Sequence, residues 1–398
     1  MDITIHPGAL RGEINIIPSK SQAHRILICA AFADKPTRII CRETNRDMEA
    51  TADCLRALGA GILRTETGYS VIPVEKIPEK AILNCCESGS TLRFLLPVAG
   101  ALGVEATFLM EGRLPHRPLS PLWEEMERMG CQLTRPTGNT ILCRGKLIAG
   151  EYTIAGNISS QYITGLLFAL SLLPKESSLV ITGKLESLPY IDLTRQAIRQ
   201  FGADPDHPGK LHFQSPGEIT VEGDWSNGAF FLAASHLNPD SALTIRGLNN
   251  TSLQGDRAAS YWIPRLCQEK CTIDAADIPD LVPILSVFAA AKHGAVFTNI
   301  QRLRIKESDR VESTIALLKN LSGNAYATAD TLTVMGTGLT GGIVDAMNDH
   351  RIAMSAAIAS TVCTQDVTIL GARCVEKSYP QFWEEFSRLG GNYEQYLR

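Results

Sequence analysis

The feature that most limits what this chain can fold into is a pattern that returns six times along its 398 residues. Each time, a short β-like run ends in a polar or charged turn, an amphipathic helix of about a dozen residues follows, and the helix stops before the next β-like run. The helix ends read RALGA (Arg56–Ala60), ERMGC (Glu127–Cys131), RQFGA (Arg199–Ala203), PRLCQEKC (Pro264–Cys271), KNLSGN (Lys319–Asn324) and SRLGGN (Ser387–Asn392). Glycine suits such a stop because it takes the left-handed conformation without a Cβ penalty; the fourth copy lacks it. Successive ends lie roughly 55–72 residues apart, beyond the period of about 20–50 residues found in solenoids. One hydrophobic core stops growing at roughly 250–300 residues. The pattern therefore predicts an α/β protein of two domains with three units each.

Composition removes several classes. Apolar residues at 44% and charged residues at 20% rule out general disorder. Lys+Arg 38 against Asp+Glu 42 leaves a net charge of -4, which argues against nucleic-acid and membrane-surface partners but permits a basic pocket. Aromatics at 6% also speak against an RNA-binding surface. The longest apolar stretches, Gly165–Pro174 and Ala353–Val362, carry serines and fall short of the roughly 20 residues of a membrane span. The start, MDITIHPGALRG, lacks a signal-peptide layout, so a cytoplasmic protein is expected. Eleven cysteines without paired-CxxC spacing read as reduced, mostly buried thiols, with no metal site. The GxGxxG spelling of Gly336–Gly341 runs on into strand-like Gly342–Asp345, where a dinucleotide fingerprint needs a helix. It reads as a hairpin turn. Neither a phosphate-loop motif nor a GxSxG elbow occurs.

Chemistry-bearing residues gather at the starts of helices. Pro18–Arg25 (PSKSQAHR) leads into an apolar helix, Ile26–Ala33, and Glu87–Arg93 (ESGSTLR) leads into another. Ser159–Ser160–Gln161 opens Tyr162–Leu173, Asp280 stands as the cap before Leu281–Ala291, and Asn348–Asp349–His350–Arg351 precedes Ile352–Ala359. Backbone N–H groups at such starts already favour anions. Ordinary capping explains most of the Ser and Asp there. Arginine at a helix start opposes the helix dipole, so Arg117, Arg257 and Arg310 hint at a compensating negative group.

Nine segments, in order, then become recognisable: Pro18–Ser21 with Arg25, Gly89 with Arg93, Arg113 to Pro118, Ser159–Gln161, Ser187–Tyr190, Ile278–Asp280, Lys306–Arg310, Asn348–Arg351 and Lys377–Pro380. Together they resemble the 5-enolpyruvylshikimate-3-phosphate synthases of the enolpyruvyl transferase family, over essentially the whole chain. The resemblance implies a two-domain inside-out α/β barrel of six βαβαββ-type repeats, three per domain, helices inside and sheets outside. Residues 20–223 would form one domain and residues 1–19 with 224–398 the other, hinged near Ser19 and Gly223–Asp224, with the site in the cleft between them.

The implied reaction moves the carboxyvinyl group of phosphoenolpyruvate to the 5-hydroxyl of shikimate 3-phosphate and releases phosphate, without metal or cofactor. Each substrate carries roughly three negative charges. Seven matched cations face them: Lys20, Arg25, Arg113, Lys306, Arg310, Arg351 and Lys377. By carry-over, shikimate 3-phosphate is held by Lys20, Ser21, Arg25, Ser159, Ser160, Gln161, Ser187, Tyr190, Asp280 and Lys306. Phosphoenolpyruvate falls to Lys20, Gly89, Arg113, Gln161, Arg310, Asp349, Arg351 and Lys377. Asp280 is the candidate base and Glu307 the candidate acid, with Lys20 sharing proton transfer. A monomer that opens when empty and closes on both substrates is expected.

The chain also departs from the pattern. Glu87 stands where many members have Asn, Phe94 where many have Pro, and Arg302 where some have Asn. A carboxylate at 87 is unfavourable beside a phosphate unless it faces away or pairs with Arg93. The sister enzyme, UDP-N-acetylglucosamine enolpyruvyl transferase, is disfavoured because the loop Glu111–Pro118 has no Cys.

Overall fold

The computed structural model describes residues 1–209 and 213–396. They form two compact units, Pro18–Glu222 and Met1–Ile17 with Gly223–Arg398, so the chain passes from one unit to the other at 17/18 and returns at 222/223.

In the unit Pro18–Glu222 the helices are α1 (Lys20–Ala31), α2 (Arg46–Ala57), α3 (Gly89–Leu102), α4 (Leu122–Arg128), α5 (Ser160–Ser171) and α6 (Leu188–Gln200). Residues 80–145 read strand, helix, strand, helix, strand, strand. The strands make two four-stranded sheets, ordered Glu218–Thr220, Thr37–Ile40, Gly68–Ile72, Gly61–Thr65 and Lys80–Asn84, Glu105–Leu109, Thr140–Gly145, Cys131–Thr134. In each, the first pair is parallel and the next two are antiparallel. A parallel pair, Glu151–Ala155 with Ser178–Thr182, completes the described strands.

Helices α1, α3 and α5 are buried at nearly every residue, whereas the strands bury alternate residues. A helix apolar on all sides must lie inside; a strand with period two has one face for the core. Ser19, Ser88 and Ser159 cap these three helices, each accepting from a first-turn N–H. Helix α3 ends at Gly103, whose φ of +74° is the left-handed stop. Helices α3 and α5 touch at Gly165, where a Cβ would lie 2.1 Å from the Arg93 carbonyl oxygen. Only glycine permits that approach, and it fixes the turn of α3 that carries Arg93.

The second unit repeats the plan. Its helices are α7 (Trp225–Leu237), α8 (Ala259–Leu266), α9 (Val282–Ala291), α10 (Arg310–Asn320), α11 (His350–Ala359) and α12 (Phe382–Arg388). Its sheets are ordered Cys271–Asp274, Ala295–Thr298, Thr331–Met335, Asn324–Ala327 and Gly342–Asp345, Val367–Leu370, Asp2–His6, Asn392–Tyr396. Arg11–Asn15 pairs in parallel with Ala242–Arg246. The chain start thus supplies two strands to the unit that the chain end completes. Each unit has its own core, around α7, α9 and α11 in one and α1, α3 and α5 in the other.

Several helix starts differ from the sequence reading. Lys20–Arg25 forms the first turns of α1 itself, which ends at Ala31. The segment Arg117–Ser120 precedes α4 by a turn containing a cis Ser120–Pro121 bond, so Arg117 is not at a helix start. Residues 255–258 are a 3₁₀ turn before α8. Asp280 is not the cap of α9; Leu281 holds that position. Gly336–Gly341 is not the hairpin turn expected: it joins Thr331–Met335 of one sheet to Gly342–Asp345 of the next, which pairs with Val367–Leu370 instead. All eleven cysteines are free, and only Cys86 and Cys267 are part-exposed.

Candidate active site

In the unit Met1–Ile17 with Gly223–Arg398, three carboxylates close on one guanidinium. Arg310, the first residue of α10 and 1% exposed, donates from Nε to Asp349 Oδ2 at 2.8 Å, from Nη1 to Asp280 Oδ1 at 2.5 Å and from Nη2 to Glu307 Oε2 at 2.6 Å. Arg351 Nη2 donates to the other Asp280 oxygen at 3.0 Å. Ser308 Oγ donates to Asp349 Oδ2, and Asp349 caps α11 by accepting from the Arg351 N–H. Arginine's planar fork suits this arrangement, since each edge meets a different carboxylate.

Electrostatics follow from the geometry. Burial works to raise the Asp280 pKa, but Arg351, Arg310 and Lys306 outweigh it and hold the carboxyl far below its ordinary range. Asp349 is likewise lowered: burial opposes, and Arg310 prevails. Burial pushes half-buried Lys306 down to about 8, with Arg302 and Arg310 helping and Asp280 opposing. Asp256, 2% exposed, is raised to about 7 by burial and by the charge of Asp280; Ser226 Oγ donates to it. Lys377 Nζ donates to the Asn348 carbonyl at 2.9 Å, in the turn ahead of Asp349.

In the unit Pro18–Glu222, a second set surrounds Gly89. A Cβ there would lie 2.5 Å from Arg93 Nη1 and 2.7 Å from Arg117 Nη1, so two guanidinium groups crowd the open face of that glycine. Arg93 is buried and donates to Gln161 Oε1 at 3.1 Å and to the Pro118 carbonyl at 3.2 Å. Gln161 in turn donates to Ser90 Oγ, and the Tyr162 hydroxyl to the Pro118 carbonyl. Lys20 Nζ pairs with Asp47 at 2.9 Å, both side chains 16% exposed. Ser160 is buried beside the cap Ser159, and buried Ser187 takes a left-handed φ of +56° before α6.

Arg25, expected on the shikimate carboxylate, is spent differently. It is 2% exposed and donates to Thr194, Thr164 and the carbonyls of Ser21 and Tyr190; burial brings its pKa down to about 10. Arg113, expected beside phosphoenolpyruvate, is exposed at the start of a 3₁₀ turn, and the cation of that loop against Gly89 is Arg117. The third helix-start arginine, Arg257, is exposed and donates to the Ser252 and Asn250 carbonyls.

A family model described as EPSP synthase (3-phosphoshikimate 1-carboxyvinyltransferase) matches residues 5–386. The chain belongs to the EPSP synthase family. It is 37% identical over 421 aligned positions to the 3-phosphoshikimate 1-carboxyvinyltransferase of Clostridium kluyveri, covering 99% of this chain and 98% of that protein. The protein of the same name from Clostridium botulinum (strain Alaska E43) is 38% identical, with 98% of each covered. A solved EPSP synthase from Acinetobacter baumannii aligns over 100% of both chains with a TM-score of 0.81 at 21% identity. The enolpyruvyl transferase NikO from Streptomyces tendae aligns with a TM-score of 0.75 at 15% identity, over 99% of this chain and 98% of that one. These structural matches establish the mixed α/β fold.

One residue of this EPSP synthase family member escaped the sequence reading. Asp47, an acid in the first turn of α2, is the partner of Lys20. Arg117 carried a signal, being an arginine in an anion-seeking segment, but nothing in the spacing separated it from Arg113.

Proposed function

We propose that this chain performs the family's transfer with these two sets of residues as halves of one site. The carboxyvinyl group of phosphoenolpyruvate passes to the 5-hydroxyl of shikimate 3-phosphate, through addition and then elimination of phosphate. The observation that carries the reading is the Asp280–Arg310–Arg351 arrangement, with Glu307 and Lys306 around it. It places a carboxylate, an acid candidate and three cations together. The strand and helix orders of the two units support the six-repeat, inside-out reading. A monomer in the cytoplasm fits eleven free thiols.

Phosphoenolpyruvate falls to Arg93 and Arg117 over Gly89 on one side, with Gln161 beside them, and to Arg310, Arg351 and Lys377 on the other. Lys306, Ser159, Ser160 and Ser187 serve the acceptor's phosphate, Ser21 and Tyr190 its ring, and Arg25 holds Tyr190 in place. Asp280 as found is a carboxylate but a weak base, because two arginines claim both its oxygens. A general base works best with its pKa near the working pH. Phosphoenolpyruvate draws Arg310 and Arg351 toward its own charges, which frees Asp280 to take the 5-hydroxyl proton. Loosening of Arg310 likewise frees Glu307 to carry a proton to the methylene carbon, with Lys20, tethered by Asp47, as the other carrier. The tetrahedral adduct then gives a methyl proton back to Glu307 as phosphate leaves into the same cations, which restores the carbon–carbon double bond of the transferred group.

The experiment is phosphate release from the two substrates together, comparing Arg117→Ala with Arg113→Ala. Arg117→Ala should raise the KM for phosphoenolpyruvate about 100-fold, and Arg113→Ala less than about twofold. No release by the wild type rejects the function; equal effects reject the Arg117 assignment alone.

A further inference from the structure

Glu87 occupies a defined seat. A Cβ built on Gly112 would lie 2.5 Å from Glu87 Oε2 and 2.6 Å from its Cδ, so the carboxylate rests on the bare face of that glycine. Gly112 has φ of +56°, a conformation that glycine takes freely. The two segments are also joined through their backbones: Cys85 N donates to the Leu109 carbonyl at 2.9 Å and Glu111 N to the Cys86 carbonyl at 2.7 Å. Gly89 follows Glu87 by two positions, and Arg117 follows Gly112 by five. The contact thus lies where the segment bearing Gly89 meets the loop bearing Arg117. The far end of that loop is anchored separately, since Tyr162 and Arg93 both donate to the Pro118 carbonyl.

We propose that Glu87 is a positioning residue for Arg117: seated on Gly112, it holds the 111–117 loop so that Arg117 faces Gly89. It thereby sets the affinity for a donor bearing phosphate and carboxylate, without touching the acceptor. Gly112 must be glycine because a side chain there would evict the Glu87 carboxylate. The inference rests on the donor assignment made above.

A double-mutant cycle tests it, using wild type, Glu87→Ala, Gly112→Ala and the double variant in the phosphate-release assay. Glu87→Ala should raise the KM for phosphoenolpyruvate about tenfold, with kcat and the KM for shikimate 3-phosphate within about twofold. Glu87→Gln, keeping the shape, should restore most of the affinity. Gly112→Ala should raise the same KM in the wild-type background at least about threefold more than in the Glu87→Ala background. Strain from a Cβ at a left-handed φ is present in both backgrounds and cancels in that ratio. A ratio of one, or equal losses in kcat and both KM values, overturns the proposal. An inactive wild type overturns the donor reading instead, and calorimetric titration of the four proteins with orthophosphate then supplies the ratio without turnover.

Discussion

Asp256 offers a sharp test of the electrostatics, because its carboxyl is 2% exposed and titrates near 7 where an ordinary one titrates near 3.8. In the unfolded chain it ionises near the ordinary value; in the folded protein burial and the nearby Asp280 charge keep it protonated until about pH 7. Between those two values the folded state binds the extra proton, so stability falls as pH rises, by about 1.4 kcal/mol per pH unit. Over the full window of about three units the loss is about 4 kcal/mol, and between pH 5 and pH 8 about 3 kcal/mol. Asp256→Asn has no proton to lose and keeps an oxygen for Ser226. Relative to wild type it should gain about 3 kcal/mol on going from pH 5 to pH 8. Asp280 contributes nothing in this window, being ionised in both states, and His24, held neutral by burial, cancels in the comparison. Urea unfolding followed by tryptophan fluorescence is the assay: Trp225, Trp262 and Trp383 lie in the same unit as Asp256, and Trp123 in the other. A difference between the two proteins that stays constant within about 0.5 kcal/mol from pH 5 to pH 8 would refute the reasoning.

Lys306, titrating at about 8, is a cation below that pH and neutral above it. The kcat/KM for shikimate 3-phosphate should fall as pH rises through about 8, and Lys306→Arg should move that limb beyond pH 9; a limb unmoved in the variant excludes Lys306 as its source. Asp349 is fully buried against Arg310, so Asp349→Ala leaves the guanidinium short of a partner and should cost about 3–5 kcal/mol. Urea unfolding measures it, and a loss under 1 kcal/mol would show that Asp280 and Glu307 suffice.

The sequence by itself determined what local forces control. Period-two and helical apolar patterns, Ser caps at 19, 88 and 159, and glycine stops such as Gly103 act within a few residues, so the α/β alternation and the anion-seeking helix starts were legible. Motifs in order along the chain supplied the family and most of the candidate residues. Tertiary structure alone decided which charges meet. Asp280 looked like a cap because it precedes a helix, yet its carboxylate is claimed by Arg310 and by Arg351, the latter 71 residues away. Arg25 and Arg310 are equally basic in sequence, but one turns to hydroxyls and carbonyls and the other to three carboxylates. Arg113 and Arg117 share one loop, and only its path past Gly89 separates them. A side chain's charge is written in the sequence; its desolvation and its partners, which set pKa and role, arise only when distant segments are packed together.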